Sequence, residues 1–147
     1  MLNLFETMNI SASGMTAQRA RLDVIASNIA NAETTRGHDN EPYRRKTVLF
    51  SEIIQNELLA PESAQSGMNL GGVRIVRIEE DQRPFRLVFD PSHPDADDTG
   101  YVQMPNVNVL KEMIDLINAQ RSYEANASVV SATKAFATAA LQIRGGG

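Results

Sequence analysis

The sequence has no cysteine and no tryptophan, and its aromatic residues are five phenylalanines and three tyrosines among 147 residues. Without cysteine, disulfide scaffolds, cysteine-ligated zinc sites and thiol nucleophiles are excluded. No apolar run approaches the roughly 20 residues that cross a bilayer. The first residues also lack the basic patch and apolar core of a secretory signal. We therefore expect no membrane insertion and no cleaved signal peptide.

Positive charge is scarce as well, with 14 basic and 18 acidic residues and a net charge of −4. Because phosphate binding requires clustered positive charge, we expect no nucleic-acid partner. The charges are unevenly spread: 36–101 carries 20 of them, whereas 8–32 and 118–143 carry three each. The two ends of the chain therefore differ in chemistry from its middle.

The first low-charge stretch has the spacing of an amphipathic helix. Four large apolar residues recur every seven positions: Met8, Met15, Leu22 and Ile29. Ile25 and Ala32 extend this heptad-like stripe, and Gln18 interrupts it. The pattern predicts a helix from about Met8 to about Asn31. Its start would be capped by one of three polar residues: Asn9, Ser11 or Ser13. Gly14 marks either a weak point of about 1 kcal/mol or a close approach by a neighbour.

The second low-charge stretch predicts a helix that starts at Asn106 or Asn108, after Pro105, and continues to about Ile143. Five residues form its seven-residue series: Val109, Leu116, Tyr123, Val130 and Ala137. Met113, Ala127 and Leu141 flank that series. Between 119 and 140 there are eight alanines, so the rest of the surface is small rather than charged.

The middle of the chain alternates as strands do. We expect strands at Tyr43–Phe50, Val73–Ile78 and Pro84–Phe89, and a flexible loop at 61–72 that is rich in glycine and proline. The predicted fold class is α+β, with two long terminal helices pairing as a coiled-coil-like hairpin around a small β-rich insert. The predicted parts are an N-terminal core helix at 1–35, the β-rich segment at 36–104 and a C-terminal core helix at 105–147.

Two long apolar stripes need more cover than an insert of about 60 residues provides. The stripes can pair with each other, but the remaining alanine, serine and asparagine faces suit close contact with further helices better than open water. These features favour a subunit of a larger helical assembly. A monomeric helical hairpin with a β tip fits the pattern equally well.

Candidate chemistry is sparse. One cluster could hold a hard cation or support a metal-dependent hydrolase: Asp90, His93, Asp95, Asp97 and Asp98. The glycine and spacing of a calcium-binding loop are missing there, so a solvated turn is favoured. His38 and Asp39 have no third partner in the sequence, and Arg44–Lys46 form a basic patch beside Arg36. We expect no cofactor, no metal and no enzymatic activity.

Three stretches, in order, resemble bacterial flagellar rod and hook proteins. The first is 11–35, whose core is Ser27-Asn28-Ile29-Ala30-Asn31 followed by Thr34; the second is 90–102, and the third runs from Met104 through Asn108 into 121–126. The spaced form, in which 38–41 separate Gly37 from Pro42-Tyr43-Arg44, is similar to the proximal-rod members of this axial protein family. Together the stretches cover well over half of the chain.

The resemblance implies a structural subunit of the proximal rod in the flagellar basal body, which polymerises through its terminal helices and transmits torque. It implies export through the flagellar type III apparatus without a cleaved signal, and assembly in the periplasm. The implied partners are other rod proteins, the membrane-ring protein and further copies of the chain. A soluble helical-hairpin adaptor that binds one partner helix, and a hydrolase using His93, are the alternatives.

Twelve residues are expected to carry helix packing and assembly: Met8, Met15, Leu22, Ile25, Asn28, Ile29, Asn31, Leu116, Tyr123, Ala127, Val130 and Ala137. Asn28 and Asn31 share a helix face near its end. Their amides would bridge to the backbone of neighbouring subunits, or Asn31 would instead cap the end of the helix.

Overall fold

The computed structural model describes residues 4–37, 40–54 and 70–145. It contains helix α1 at Leu4–Ala30, strands β1 at Lys46–Ile54, β2 at Leu70–Glu80, β3 at Arg86–Phe89 and β4 at Tyr101–Met104, and helix α2 at Val109–Gly145. The α+β class predicted from the sequence is confirmed. Among the described residues, no helix is long and apolar enough to span a bilayer.

Helix α1 begins earlier than the sequence indicated. It starts at Leu4, so the expected caps at Asn9, Ser11 and Ser13 lie inside it and that prediction is wrong. The Ser13 hydroxyl instead donates to the carbonyl of Ile10 at 2.7 Å. Helix α2 begins as expected, because the Oδ1 of Asn108 accepts the backbone N–H of Lys111 at 3.1 Å, which is N-cap geometry.

The strands form two separate two-stranded sheets, β1 with β2 and β3 with β4. Strand β1 starts at Lys46 rather than at Tyr43, because the N–H groups of Tyr43 and Arg45 bond to the Thr34 carbonyl and the Asn106 side chain. Strand β2 begins at Leu70, so residues 70–72 are strand rather than loop, and 61–69 lie outside the described residues. Strand β4 was not predicted. It pairs antiparallel with β3, placing Leu87 opposite Gln103 and Phe89 opposite Tyr101.

The described residues divide into two compact units. The first unit comprises 4–19, 50–54, 70–76 and 120–145, and the second comprises 20–37, 40–49 and 77–119. Each helix therefore contributes to both units. The predicted division into 1–35, 36–104 and 105–147 stays a prediction.

Burial is concentrated in the second unit. Among the described residues, three side chains of the first unit are buried, namely Ser11, Ala17 and Thr133. The second unit buries nine: Ile25, Asn28, Ala32, Val48, Val102, Pro105, Val107, Glu112 and Ala119. The first unit thus has one buried hydrophobic side chain, while the second has a core with polar residues at its centre.

Candidate functional site

Asn28 lies fully buried near the end of α1 and makes four hydrogen bonds. Its Nδ2 donates to the carbonyl of Lys46 at 2.8 Å and to Oε2 of Glu112 at 2.9 Å. Its Oδ1 accepts the N–H of Lys46 at 2.8 Å and the hydroxyl of Tyr43 at 3.0 Å. An asparagine amide has two donor hydrogens and two acceptor lone pairs. All four are used inside this chain, so Asn28 has no capacity left to bridge to a neighbouring subunit.

Asn31 is positioned as a helix-end cap. It follows the last residue of α1, and its Nδ2 donates to the carbonyl of Ser27 at 2.9 Å. Its Oδ1 accepts the Thr34 hydroxyl at 3.3 Å. The Ser27 carbonyl also accepts the backbone N–H of Asn31 at 3.1 Å, so the side chain adds a second bond to the same oxygen. Both side-chain partners of Asn31 lie at this end of α1, so of the two alternatives the geometry favours the local one.

Glu112 and Arg45 form an ion pair beside Asn28. The Glu112 side chain is 0% exposed, and its Oε1 accepts the Nε–H of Arg45 at 2.6 Å. The Arg45 guanidinium also lies 3.7 Å from Asp115 and 3.9 Å from Asp81. Because burying a charge is costly unless it is paired and hydrogen-bonded, Glu112 depends on Arg45 and Asn28 together. We call Asn28, Tyr43, Arg45, Asp81, Asn106 and Glu112 the polar cluster.

Asp81 and Asn106 extend the polar cluster to the segment after β2. Asn106 accepts the Arg45 N–H and donates to the carbonyls of Asp81 and Arg83 at 2.9 and 3.0 Å. The hydrogen bonds from Arg83 to the Asp81 carboxylate lower the pKa of Asp81 from 3.8 to about 2, with a smaller contribution from the charge of Arg45. Asp81 is therefore ionised throughout the physiological pH range.

In the first unit, Gly14 permits a close approach between α1 and α2. A Cβ at Gly14 would lie 3.0 Å from Nδ2 of Asn126, which is tighter than ordinary van der Waals contact. The N–H of Val73 on β2 donates to the Ser13 hydroxyl at 3.1 Å. Of the two interpretations of Gly14, the close approach is the one found, and the neighbour is a side chain of the same chain.

The twelve expected assembly residues all lie at least partly buried. Ile25 and Asn28 are buried, and the other ten are partly buried. The remaining members of the predicted α2 stripe, Val109, Met113 and Leu141, are exposed. Among the side chains of α2 at 109–142, the buried ones are Glu112, Ala119 and Thr133, which are small or polar. The predicted stripes do not include these three positions, because none of them carries a large apolar residue.

The aspartates around His93 hold a turn. Asp90 accepts hydrogen bonds from Ser92, which lower its pKa, and Asp97 accepts bonds from Thr99 and Tyr101, which lower its pKa too. The Asp95 carboxylate accepts the Thr35 hydroxyl at 2.6 Å and pairs with Arg36. In the part of the chain that the structure describes, no three His, Asp or Glu residues form a metal-ligand group. His38 and Asp39 lie outside that part.

Several large apolar side chains are exposed. In the second unit, α2 presents Leu110, Met113, Ile114 and Ile117 on the side opposite to Glu112 and Ala119. A groove of about 640 Å³ beside its start is lined by Pro84, Val107 and Leu110, among others. In the first unit, Phe5, Val129, Phe136 and Leu141 are exposed. Exposed apolar faces of this kind are typical of interaction surfaces.

Of the polar cluster, the sequence predicted a site role for Asn28 and missed the other five members: Tyr43, Arg45, Asp81, Asn106 and Glu112. Glu112 occupies the first turn of α2, where an acidic residue is usually a solvated partner of the helix dipole. The sequence places Arg45 in a basic patch, but its side chain is only 14% exposed in the structure. The sequence did single out Asn106, but only as a possible start of α2, because it lies two residues before the helix cap at Asn108.

Comparison with known proteins gives a consistent result. The family model of flagella basal body rod proteins matches residues 8–37, and that of the flagellar basal body rod FlgEFG protein C-terminal region matches 98–143. The chain is 44% identical to the flagellar basal-body rod protein FlgC of Bacillus subtilis, covering 97% of this chain and 99% of that one. It is 42% identical to FlgC of Borreliella burgdorferi over 97% of this chain and 98% of that one, and 46% identical to FlgC of Yersinia enterocolitica over 91% and 90%.

Proposed function

Because the chain belongs to the FlgC family of flagellar basal-body rod proteins, it is a structural subunit of that rod, and we propose that it polymerises through the helical segments at its two ends. The family assembles with other rod proteins and with its own copies. The observation that supports the terminal helices as the assembly segments is the scarcity of buried side chains in the first unit, which is built mainly from those helices.

That scarcity has a thermodynamic consequence. Ordering a residue costs about 1–2 kcal/mol of backbone entropy, and burying a large apolar side chain returns about 1.5–3 kcal/mol. The first unit orders long stretches of α1 and α2 with Ala17 as its one buried hydrophobic residue among those described. We infer that neighbouring subunits supply the missing burial. The terminal segments would then order during assembly.

The hydroxyl groups of the terminal helices support burial against further helices. In α2, Ser128, Thr133 and Thr138 each donate to the carbonyl four residues earlier, at 2.8–2.9 Å. Thr16 of α1 does the same at 3.1 Å. A hydroxyl that is already bonded to its own helix adds little desolvation cost when another helix covers it. This property suits the small, weakly charged faces that distinguish the ends of the chain.

The specific partners of the chain and its location in the cell are part of the same proposal. We place 1–35 and 105–147 in the core of the rod and 36–104 outside it. We propose that the chain contacts the membrane-ring protein, lies in the periplasm and travels through the flagellar export apparatus without a cleaved signal. Mass spectrometry of the chain from isolated basal bodies tests the last point, since retention of the first residues would support it and their loss would contradict it. Its role is structural, without enzymatic activity.

The exposed face of α2 gives the sharpest test of assembly. Ile114→Gln combined with Ile117→Gln replaces two exposed apolar side chains. The control, Lys111→Gln, changes an exposed residue one turn before Ile114 without removing a large apolar side chain. We expect the double variant to reduce swimming and the number of rods in the source bacterium, because the adjacent subunit in the rod loses an apolar contact. The control should assemble normally.

Both variants should leave the unfolding midpoint of the purified chain nearly unchanged, since surface substitutions usually alter stability by less than about 0.5 kcal/mol. Normal rods containing the double variant would contradict the proposal that this face is covered during assembly.

A further inference from the structure

The β3–β4 ribbon exposes an apolar face that the core of the second unit does not use. By the strand register, Leu87, Phe89, Tyr101 and Gln103 share one face, while Val88 and the buried Val102 share the other. Leu87 and Phe89 are each 62% exposed. The rings of Phe89 and Tyr101 meet edge to face with centroids 5.2 Å apart, which gives the face a fixed aromatic surface.

One end of this ribbon face is strongly acidic. The turn from 90 to 100 carries Asp90, Asp95, Asp97 and Asp98 and no arginine or lysine. Asp95 is paired with Arg36, and Asp90 and Asp97 are held by hydroxyl and backbone donors that favour their ionised forms. Asp98 is exposed at the tip of the turn. A partner that fits this ribbon face would therefore need an apolar strand or helix with a positively charged side chain at the end that meets the acidic turn.

Strand β2 of the same sequence has that combination. Arg74, Val76 and Ile78 alternate along one face of the strand, and both Val76 and Ile78 are 54% exposed. Arg77, on the other face, pairs with Glu79, whereas Arg74 makes no ion pair with any residue in the described ranges. Glu80 lies at the far end of this face. Arg74 therefore supplies a cation that matches the acidic end of the ribbon face.

We propose that the ribbon face (Leu87, Phe89, Tyr101) of one copy docks on the β2 face (Arg74, Val76, Ile78) of a second copy, with Arg74 against Asp98. The two surfaces differ, so the contact is heterologous and does not close on itself, which is the kind of contact that builds helical polymers. This docking joins the middle segments of two copies, in addition to the contact between their terminal helices. It rests on the proposed function of the chain as a polymerising rod subunit.

The size of the surface explains where the contact forms. Three exposed side chains bury on the order of a few hundred Å², less than the roughly 800 Å² per partner of a stable protein–protein interface. The contact therefore does not hold two free subunits together. It forms when the helical segments bring the copies close, so the test belongs in assembled rods.

The absence of cysteine makes the test direct. Two variants, Val76→Cys and Leu87→Cys, are expressed together in the source bacterium in place of the native chain, and isolated basal bodies are treated with a short thiol cross-linker. We expect a covalent dimer of this chain when both variants are present. Val76→Cys expressed with Lys111→Cys is the matched control, and it should give no dimer.

Charge reversal identifies the ionic part of the contact. Arg74→Asp or Asp98→Arg, placed in the cysteine-bearing chains, should each lower the dimer yield about fivefold, and the two reversals together should restore it. Basal bodies that contain the variants but give no dimer would overturn the proposal, as would a cross-link from Leu87→Cys to a different rod protein or a dimer formed by Val76→Cys alone. Failure of the chain to enter basal bodies would instead count against the proposed function.

Discussion

At the scale of single residues, the side chain of Asn28 connects α1 to two separate stretches of the second unit, 43–46 and the start of α2. It bonds to Tyr43, to the first residue of β1 and to Glu112 in α2. These partners lie 15 to 84 residues away in the sequence. The polar cluster therefore sets how the end of α1, β1 and the start of α2 meet within this unit, a task that a purely apolar core specifies less uniquely.

Glu112→Gln should destabilise the chain strongly. The substitution keeps the shape of the side chain but removes its charge, so the Arg45 guanidinium loses its closest carboxylate in a site that is 14% exposed. Removing one partner of a buried ion pair costs about 3–5 kcal/mol. Urea unfolding followed by circular dichroism measures this. The matched control is Glu124→Gln, an exposed position on the same helix, whose effect should stay below about 0.5 kcal/mol. Equal midpoints for the two variants would show that Glu112 is not structurally important.

Asp81 gives the second unit a defined sensitivity to acid. Its pKa is lowered from 3.8 to about 2 in the folded chain, so its carboxylate stabilises the fold above pH 4, and that contribution is lost as the pH falls through about 2. Urea midpoints measured from pH 5 to pH 2 should fall for the native chain. Asp81→Asn should be less stable at pH 5, by up to about 1 kcal/mol, and should lose less on acidification. Parallel profiles would refute this assignment.

The sequence located some of these residues and not others, for a physical reason. The placement of Asn28 and Asn31 on one helix face and the cap at Asn108 follow from local spacing, so they were predictable. The burial of Glu112 depends on Arg45, which is 67 residues away. No local pattern distinguishes an acidic residue that meets such a partner from one that is solvated.

At the scale of elements, the heptad spacing predicted both helices but only part of their contact surface. Large apolar residues such as Leu22 and Leu116 are partly buried, as are most members of the predicted stripes. Gly14 makes a close contact, and Ala119 and Thr133 are buried, but a search for large apolar residues passes over all three. Strand β4 was missed because its four residues are too few to show an alternating pattern, and its pairing depends on the Asp90–Gly100 turn.

Gly14→Ala tests the importance of this close approach. Alanine is favoured over glycine in a helix by about 1 kcal/mol, but here its Cβ would lie 3.0 Å from the Asn126 amide. We expect fewer rods and weaker swimming although helix propensity improves. Combining the change with Asn126→Ala removes the clash and should restore assembly. If Gly14→Ala alone assembled normally, the contact would be tolerant rather than required.

At the scale of the whole molecule, the two units differ in what holds them together. The second unit has a buried core and a hydrogen-bonded polar cluster, whereas the described part of the first unit has few buried side chains and several exposed apolar ones. The uneven distribution of charge predicted that the ends lack cover within one chain. The boundary near Arg19 and Gln120, inside both helices, had no signal in the sequence because the helical pattern continues across it.

The central claim is that the terminal segments become stably ordered when other subunits cover them. Hydrogen exchange of the free chain, compared with the same chain in isolated basal bodies, tests this most directly. We predict fast exchange at 4–19 and 120–145 in the free chain, strong protection at 20–30 and 109–119, and protection of all four segments in the rod. Equal protection of the terminal and central segments in the free chain would contradict the account.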